Sequence, residues 1–143
     1  MKIAMASDHA GYKLKEDLKK FLARKKHEVI DFGTNSEESC DYPDFARPAA
    51  EAVAKGVADR GILICGSGVG VTIVANKVVG IRAALAHNTY IAKQSRQHGD
   101  VNILTLAGRK VTRAKAHRIV DVWLKTEFSG DERHLRRIRK IEQ

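Results

Sequence analysis

Cysteine is scarce in this sequence: Cys40 and Cys65 stand alone, with no C-x-x-C spacing between them. That excludes a disulfide framework and a cysteine zinc site, and it predicts a reduced, cytoplasmic setting. Proline is as rare, at two residues, and no low-complexity tract occurs, so disorder is not expected. Aromatic residues make up 6% of the chain, which leaves few rings for stacking on nucleic-acid bases. No run approaches the roughly 18 consecutive apolar residues of a membrane span. The opening Ile3–Ala6 run meets Asp8 too soon for a signal-peptide core of about 7–15 residues. Spacings that would hold a divalent metal (H-x-H, H-E-x-x-H, a carboxylate cluster) are missing, so neither a metal nor a cofactor is expected.

What the chain has in excess is positive charge. Its 26 Lys+Arg against 17 Asp+Glu give a net charge of +9, which points to an anionic partner: nucleic acid, a membrane surface or a phosphorylated small molecule. The 143 residues, 43% of them hydrophobic, are enough for one self-supporting core, so a single domain over 1–143 is expected.

Short apolar runs alternate with longer amphipathic stretches. Ile3–Ala6, Val29–Phe32, Gly61–Cys65, Ile81–Ala86 and Ile103–Leu106 read as strands, the third unbroken as in a strand buried on both faces. Leu14, Leu18, Phe21 and Leu22 form one stripe of a helix over Gly11–Lys26. Phe45, Ala46, Ala49 and Val53 mark a second helix that Gly56 stops. Val71–Lys77 gives a third and a fourth reaches Gln97, while Ala116, Ile119, Val120, Trp123 and Leu124 mark a fifth. A last segment from Glu132 repeats Leu135, Ile138 and Ile141. The pattern predicts an α/β fold: a three-layer α/β/α sandwich around a five-stranded parallel sheet, Rossmann-like, with a C-terminal helical tail.

In such a sheet ligands bind beyond the carboxyl ends of the strands. Those ends carry Asp8-His9, Cys65 with its loop Gly66-Ser67-Gly68-Val69-Gly70, His87-Asn88, and Arg109. A glycine loop between a buried strand and a helix suits an anion cradle, and it suits a plain structural turn equally well. It is neither a dinucleotide fingerprint nor a phosphate-binding Walker loop, since Val71 takes the sixth position and no G-K-[ST] follows. Nor is G-S-G-V-G a hydrolase elbow. A cysteine ending an apolar strand is usually a small buried hydrophobe. Beside amides and a helix N-terminus, though, a thiolate is favoured, which makes Cys65 a usable base or nucleophile. Cys40, His27 and His117 receive no role. His9, after the first strand, and His98, ahead of Gly99-Asp100 at a helix end, suit proton shuttling. Arg133 and Arg137 share a helix face and match phosphate geometry. They equally fit a solvated surface, and the apolar residues of the same tail need something to dock against, a partner subunit being one answer.

Ser7-Asp8-His9-Ala10-Gly11, Asp41-Tyr42-Pro43, Gly61 through Gly70, Ala75-Asn76-Lys77, Gly80-Ile81-Arg82-Ala83, Ser95-Arg96-Gln97-His98, Gly108-Arg109, and Arg133-His134 with Arg137 occur in a specific order and spacing. Over essentially the whole chain they resemble the type B ribose-5-phosphate isomerases, a family that also contains galactose-6-phosphate and allose-6-phosphate isomerases. The resemblance implies an aldose–ketose isomerase that works without metal or cofactor, through a cis-enediolate, on ribose 5-phosphate and ribulose 5-phosphate. It implies Cys65 as the base moving a proton between C2 and C1, and His98 as the group opening the furanose ring, with Asp8 holding sugar hydroxyls. The amides of Gly66, Ser67, Gly68, Val69 and Gly70 become the oxyanion site, with the Ser67 hydroxyl near the reacting carbons. His9, Arg109, Arg133 and Arg137 hold the phosphate, and Tyr42 lines the sugar pocket. The implied assembly is a homodimer with shared active sites, or a dimer of such dimers, with no nucleic-acid or membrane partner.

Three positions depart from the family pattern. Ser67 stands where many members have Thr. Gly99 stands where Asn is usual, leaving only backbone to contact the sugar. Asp131-Glu132 replace a Gly-Gly pair ahead of Arg133, in a loop one residue longer. Some relatives use a loop Glu as base; Val71 lies in that neighbourhood here, which places the chain with the Cys type. One alternative is an isomerase for a six-carbon sugar phosphate such as allose 6-phosphate, using the room at Gly99. A more distant one is a basic nucleic-acid-binding module built on Arg109–Arg118 and the tail, which the low aromatic content disfavours.

Overall fold

The computed structural model of the chain describes residues 1–143. In chain order the elements are β1 (Lys2–Ser7), α1 (Tyr12–Arg24), β2 (Glu28–Asp31), α2 (Tyr42–Ala54), β3 (Arg60–Cys65), α3 (Val69–Asn76), β4 (Ala83–Leu85), α4 (Thr89–Gly99), β5 (Ile103–Ala107), α5 (Arg113–Lys125) and α6 (Glu132–Ile141). All five predicted strands are present and all pair in parallel, in the order β2-β1-β3-β5-β4.

Side-chain alternation along the central strands divides the core into two halves. Ile3, Met5, Ile62, Ile64, Leu104 and Leu106 face α1, α4 and α5, where Trp123 is fully buried. Ala4, Ala6, Leu63, Cys65 and Ile103 face α2 and α3. The alanines of β1 meet Ala46, Ala49 and Ala50 of α2, so the helix lies close against the sheet on that side. Cys65 therefore points into the layer that carries α3.

Most boundaries lie within a residue or two of the sequence reading, and three of the differences have a local reason. β4 is half the predicted length because side chains take the amides where it starts: Asn102 Oδ1 accepts from Arg82 N at 2.9 Å and Asn76 Oδ1 from Ala83 N at 2.8 Å. α3 begins at Val69, ahead of Val71, because Gly68 takes a left-handed φ of 78° and completes the turn alone. α2 begins at Tyr42, ahead of Phe45, with Pro43 in the first turn where its missing N–H is harmless.

Two buried cations fasten the layers. Arg60 donates to the carbonyls of Trp123 and Leu124, 3.1 Å each, and so satisfies the last turn of α5. Lys15, fully buried, reaches both oxygens of Asp31 at 2.6 and 2.7 Å. Burial would raise the Asp31 carboxyl, but Lys15, Lys19 and the Gly33 amide outweigh it and hold that group below its ordinary value. No helix is long and apolar enough to cross a membrane.

From β1 the chain moves outward to β2, and from β3 it moves the other way to β4 and β5. Strand order thus reverses between β1 and β3, and the crevice beyond their carboxyl ends is the place where open α/β sheets take ligands.

Candidate active site

Asp8 and Cys65 meet at this switch point because Ser7 pairs with Ile64 across the central ladder. Asp8 is nearly buried, and its Oδ1 accepts from Ala10 N (2.9 Å) and Gly11 N (3.1 Å), which leaves Oδ2 for a ligand hydroxyl. His9 follows. Its Nδ1 accepts from Cys40 N at 3.2 Å, so a neutral His9 ring carries its proton on Nε2, as a donor. Cys40, without a role in the sequence reading, sets this tautomer through its backbone. No motif or period signals a contact between two loops so far apart in the chain.

Cys65 closes β3 at 4% exposure. After it the glycine loop turns through Gly68 into α3, whose first free N–H groups face back over the crevice. Ser67 Oγ accepts from Val69 N at 3.2 Å, so its own proton remains free to donate. Tyr42, at the start of α2, lies across Gly70: a methyl there would sit 2.5 Å from Tyr42 Cζ. Arg109 is brought in by β5, where Gly108 N donates to Cys65 O (2.8 Å) and Arg109 N to Gly66 O (3.1 Å). Its guanidinium lies over Gly66, where a methyl would be 3.1 Å from Nη1. Asp8, His9, Tyr42, Cys65, Gly66, Ser67, Gly68, Val69, Gly70 and Arg109 thus share one crevice. Asn88 is a helix cap, accepting from Ile91 N at 2.9 Å.

His98, Gly99, Arg133 and Arg137 lie elsewhere. α4 runs back from the carboxyl edge of the sheet, so its last residues arrive beside the start of β5. Ile103 there pairs with Gly61, whereas Ala107 at the far end pairs with Cys65. Four strand steps of about 3.3 Å put those two ends about 13 Å apart. The Gly99 carbonyl already accepts from Arg82 Nε at 2.8 Å, so the backbone contact expected of it is engaged within the chain. A methyl on Gly99 would meet only Val101 Cγ2, at 3.4 Å, so the position has space for a side chain. Arg82 also reaches Glu142 Oε1 at 2.6 Å and so ties the end of α6 to the end of α4. Arg133 and Arg137 are exposed on α6, which Asp131 caps by accepting from Arg133 N at 2.9 Å. Leu135 and Ile138 are half-buried, and Ile141 stays 66% exposed.

His134 is the buried residue of α6, and its ring stacks on His98 with centroids 4.2 Å apart. Burial, then the neighbouring His98, Arg133 and Arg137, lower its pKa against the opposing pull of Asp131. It had no separate role in the sequence reading; here it holds α6 on α4 and gives His98 an uncharged face. The unfolded chain takes up this proton near pH 6.5 and the folded one only at lower pH, so stability should fall as pH drops through that interval. His134→Phe keeps a stacking face and removes the titration. Its melting temperature is expected to fall less than that of the wild type across the interval, and equal falls would remove His134 as the cause.

A glycine cradle, a buried thiol and the guanidinium of Arg109 at a switch point define an α/β protein suited to hold a small anionic ligand against a basic group. A family model described as Ribose/Galactose Isomerase matches residues 3–141, and the chain belongs to that family. It is 47% identical over 140 residues to ribose-5-phosphate isomerase B of Escherichia coli, covering 98% of this chain and 93% of that one. A ribose-5-phosphate isomerase B structure from Clostridium thermocellum superposes with a TM-score of 0.97 at 55% identity, over 99% of this chain and 95% of the other. The enzyme from Mycoplasma genitalium, solved with bound ribulose-5-phosphate, gives a TM-score of 0.94 at 46% identity, over 99% and 93%.

Proposed function

We infer that the chain is an aldose–ketose isomerase interconverting ribose 5-phosphate and ribulose 5-phosphate, and that its active site is assembled from two copies. One copy supplies Asp8, His9, Tyr42, Cys65, the glycine cradle and Arg109; the other supplies His98, Arg133 and Arg137, with Gly99 contributing open space. The observation that carries the assembly is the placement of these two sets at opposite edges of one sheet. Exposed apolar side chains on α3 (Val69, 50%; Ile73, 56%) and on α4 (Tyr90, 69%) suit burial against a second copy. Two free cysteines fit a reducing compartment, the cytoplasm.

His98 opens the furanose by taking the anomeric hydroxyl proton and delivering it to the ring oxygen as the C1–O4 bond breaks, while Asp8 Oδ2 holds a sugar hydroxyl. The Cys65 thiolate then takes the C2 proton, and the C2–H electron pair moves toward the C1 carbonyl to give a cis-enediolate. Amides of the cradle and the Ser67 hydroxyl hold the developing oxyanion, where one such donor is worth about 3–4 kcal/mol. Return of the proton from Cys65 to C1, with transfer of the O2 proton to the O1 oxyanion, gives the ketose. His9, Arg109, Arg133 and Arg137 anchor the phosphate, and remote binding energy fixes the reacting carbons over Cys65. The net charge of +9 favours capture of such an anion.

Purified protein incubated with ribose 5-phosphate in EDTA, with allose 6-phosphate in parallel, tests the reading. Rapid ketose formation from the pentose is expected. Turnover of the hexose alone would keep the chemistry and make the room at Gly99 the determinant of specificity. Inactivity on both would remove the function.

A further inference from the structure

Thr105 is fully buried in β5, where its neighbours in the strand are Leu104 and Leu106. Its hydroxyl has one partner, the hydroxyl of Thr72 on α3. Thr72 Oγ1 in turn lies 2.6 Å from the carbonyl oxygen of Gly68. The direction of this chain is fixed by elementary accounting. A carbonyl only accepts, so the single proton of Thr72 goes to Gly68, and Thr72 must accept from Thr105.

The Gly68 carbonyl and the Val69 N–H belong to one planar peptide unit and point to opposite sides of it. On that opposite side Val69 N donates to Ser67 Oγ at 3.2 Å. Gly68 has a left-handed φ of 78°, a residue whose following peptide has unusual freedom to rotate. Rotation would take the Val69 N–H off Ser67.

We propose that Thr72 and Thr105 are positioning residues that lock the Gly68–Val69 peptide plane and thereby aim the Ser67 hydroxyl at the reacting oxygens. Neither threonine touches substrate; both act through the loop. A threonine bonding the carbonyl four residues back is ordinary in helices. A second, fully buried hydroxyl whose one partner is that threonine is not needed for packing, since valine has the same shape.

The inference rests on the isomerase reading, and the wild-type assay separates the two: no turnover of ribose 5-phosphate defeats the reading, whereas turnover that the variants leave untouched defeats the inference. Thr72→Val is expected to lower kcat about tenfold with KM nearly unchanged, since the contact matters in the transition state. Thr105→Val should give a smaller loss, and the double variant should be no worse than Thr72→Val alone, because everything passes through Thr72. Thr72→Ser should restore most of the activity. In a Ser67→Ala background Thr72→Val should add little. A loss in Thr72→Ser equal to that in Thr72→Val, a change confined to KM, or fully additive losses would overturn the proposal. Should one valine variant fail to fold, the other, measured alone and in the Ser67→Ala background, decides it: a kcat loss that Ser67→Ala absorbs supports the proposal, and a loss that persists in full overturns it.

Discussion

Cys65→Ala is expected to lower turnover of ribose 5-phosphate by about 10²–10⁴-fold, the range for removing a positioned general base. Affinity for a five-carbon alditol phosphate, which cannot isomerise, should change little. The reason is spatial separation of roles: the thiol is buried at the end of β3, while the proposed phosphate anchors are His9, Arg109 and two arginines on the exposed tail helix. The substitution removes one sulfur from a site at 4% exposure and leaves the backbone bond of Cys65, whose carbonyl accepts from Gly108 N, in place. Titration calorimetry with the alditol phosphate and a ketose assay give the two numbers. Near-normal turnover would take the base away from Cys65; lost affinity would mean that base and anchor are not separate.

Gly68→Ala carries the second large effect, on stability and activity together. An L-residue forced into the left-handed region loses about 1–2 kcal/mol. The new methyl would also sit 2.5 Å from Leu85 Cδ1 and 3.0 Å from the backbone carbon of Leu106. Overpacking of that kind costs about 1–3 kcal/mol, so a total loss of about 2–5 kcal/mol is expected as a lower denaturant midpoint with an unchanged slope. Relief by rotating the turn would pull the Val69 N–H off Ser67, so turnover should fall in whatever fraction stays folded. Gly56→Ala is the control, because Gly56 has φ of 72° with nothing within 4 Å of its added methyl. It should show the conformational loss alone. Equal losses at the two positions would mean that the packing around Gly68 relaxes freely.

The strands and most helices are legible in the sequence because each requires a hydrophobic period that little else produces. The unbroken Gly61–Cys65 run and the stripe of Leu14, Leu18 and Leu22 are clear examples. Boundaries are legible only where backbone hydrogen bonds set them. At β4 the side chains of Asn76 and Asn102 take the amides at the start of the strand, and at α3 one left-handed glycine starts the helix early. The crevice half of the site follows from the rule that strand ends carry ligand chemistry, which singles out Asp8, His9, Cys65 and Arg109 from the order of apolar runs and polar residues alone. Tyr42 comes from resemblance only, since its contact with Gly70 joins the first turns of two helices.

Strand order is not legible. Apolar runs say that strands exist and not which is beside which, so the separation of His98 from Cys65 emerges only from the topology. Contacts through backbone atoms or buried hydroxyls are invisible for the same reason. Cys40 N on His9, Thr105 on Thr72 and the His98–His134 stack leave no pattern in composition or spacing.

The claim at the centre of this account is that a complete site draws on two copies of the chain. Subunits carrying Cys65→Ala and subunits carrying His98→Ala/Arg137→Ala should each be nearly inactive when pure. Co-assembled in equal amounts, half of the dimers are mixed, and each mixed dimer holds one site with an intact Cys65 facing an intact His98 and Arg137. Activity should therefore return to about one quarter of the wild-type level. If the mixture stays at the level of its parents, both halves of the site belong to one chain and the account is contradicted.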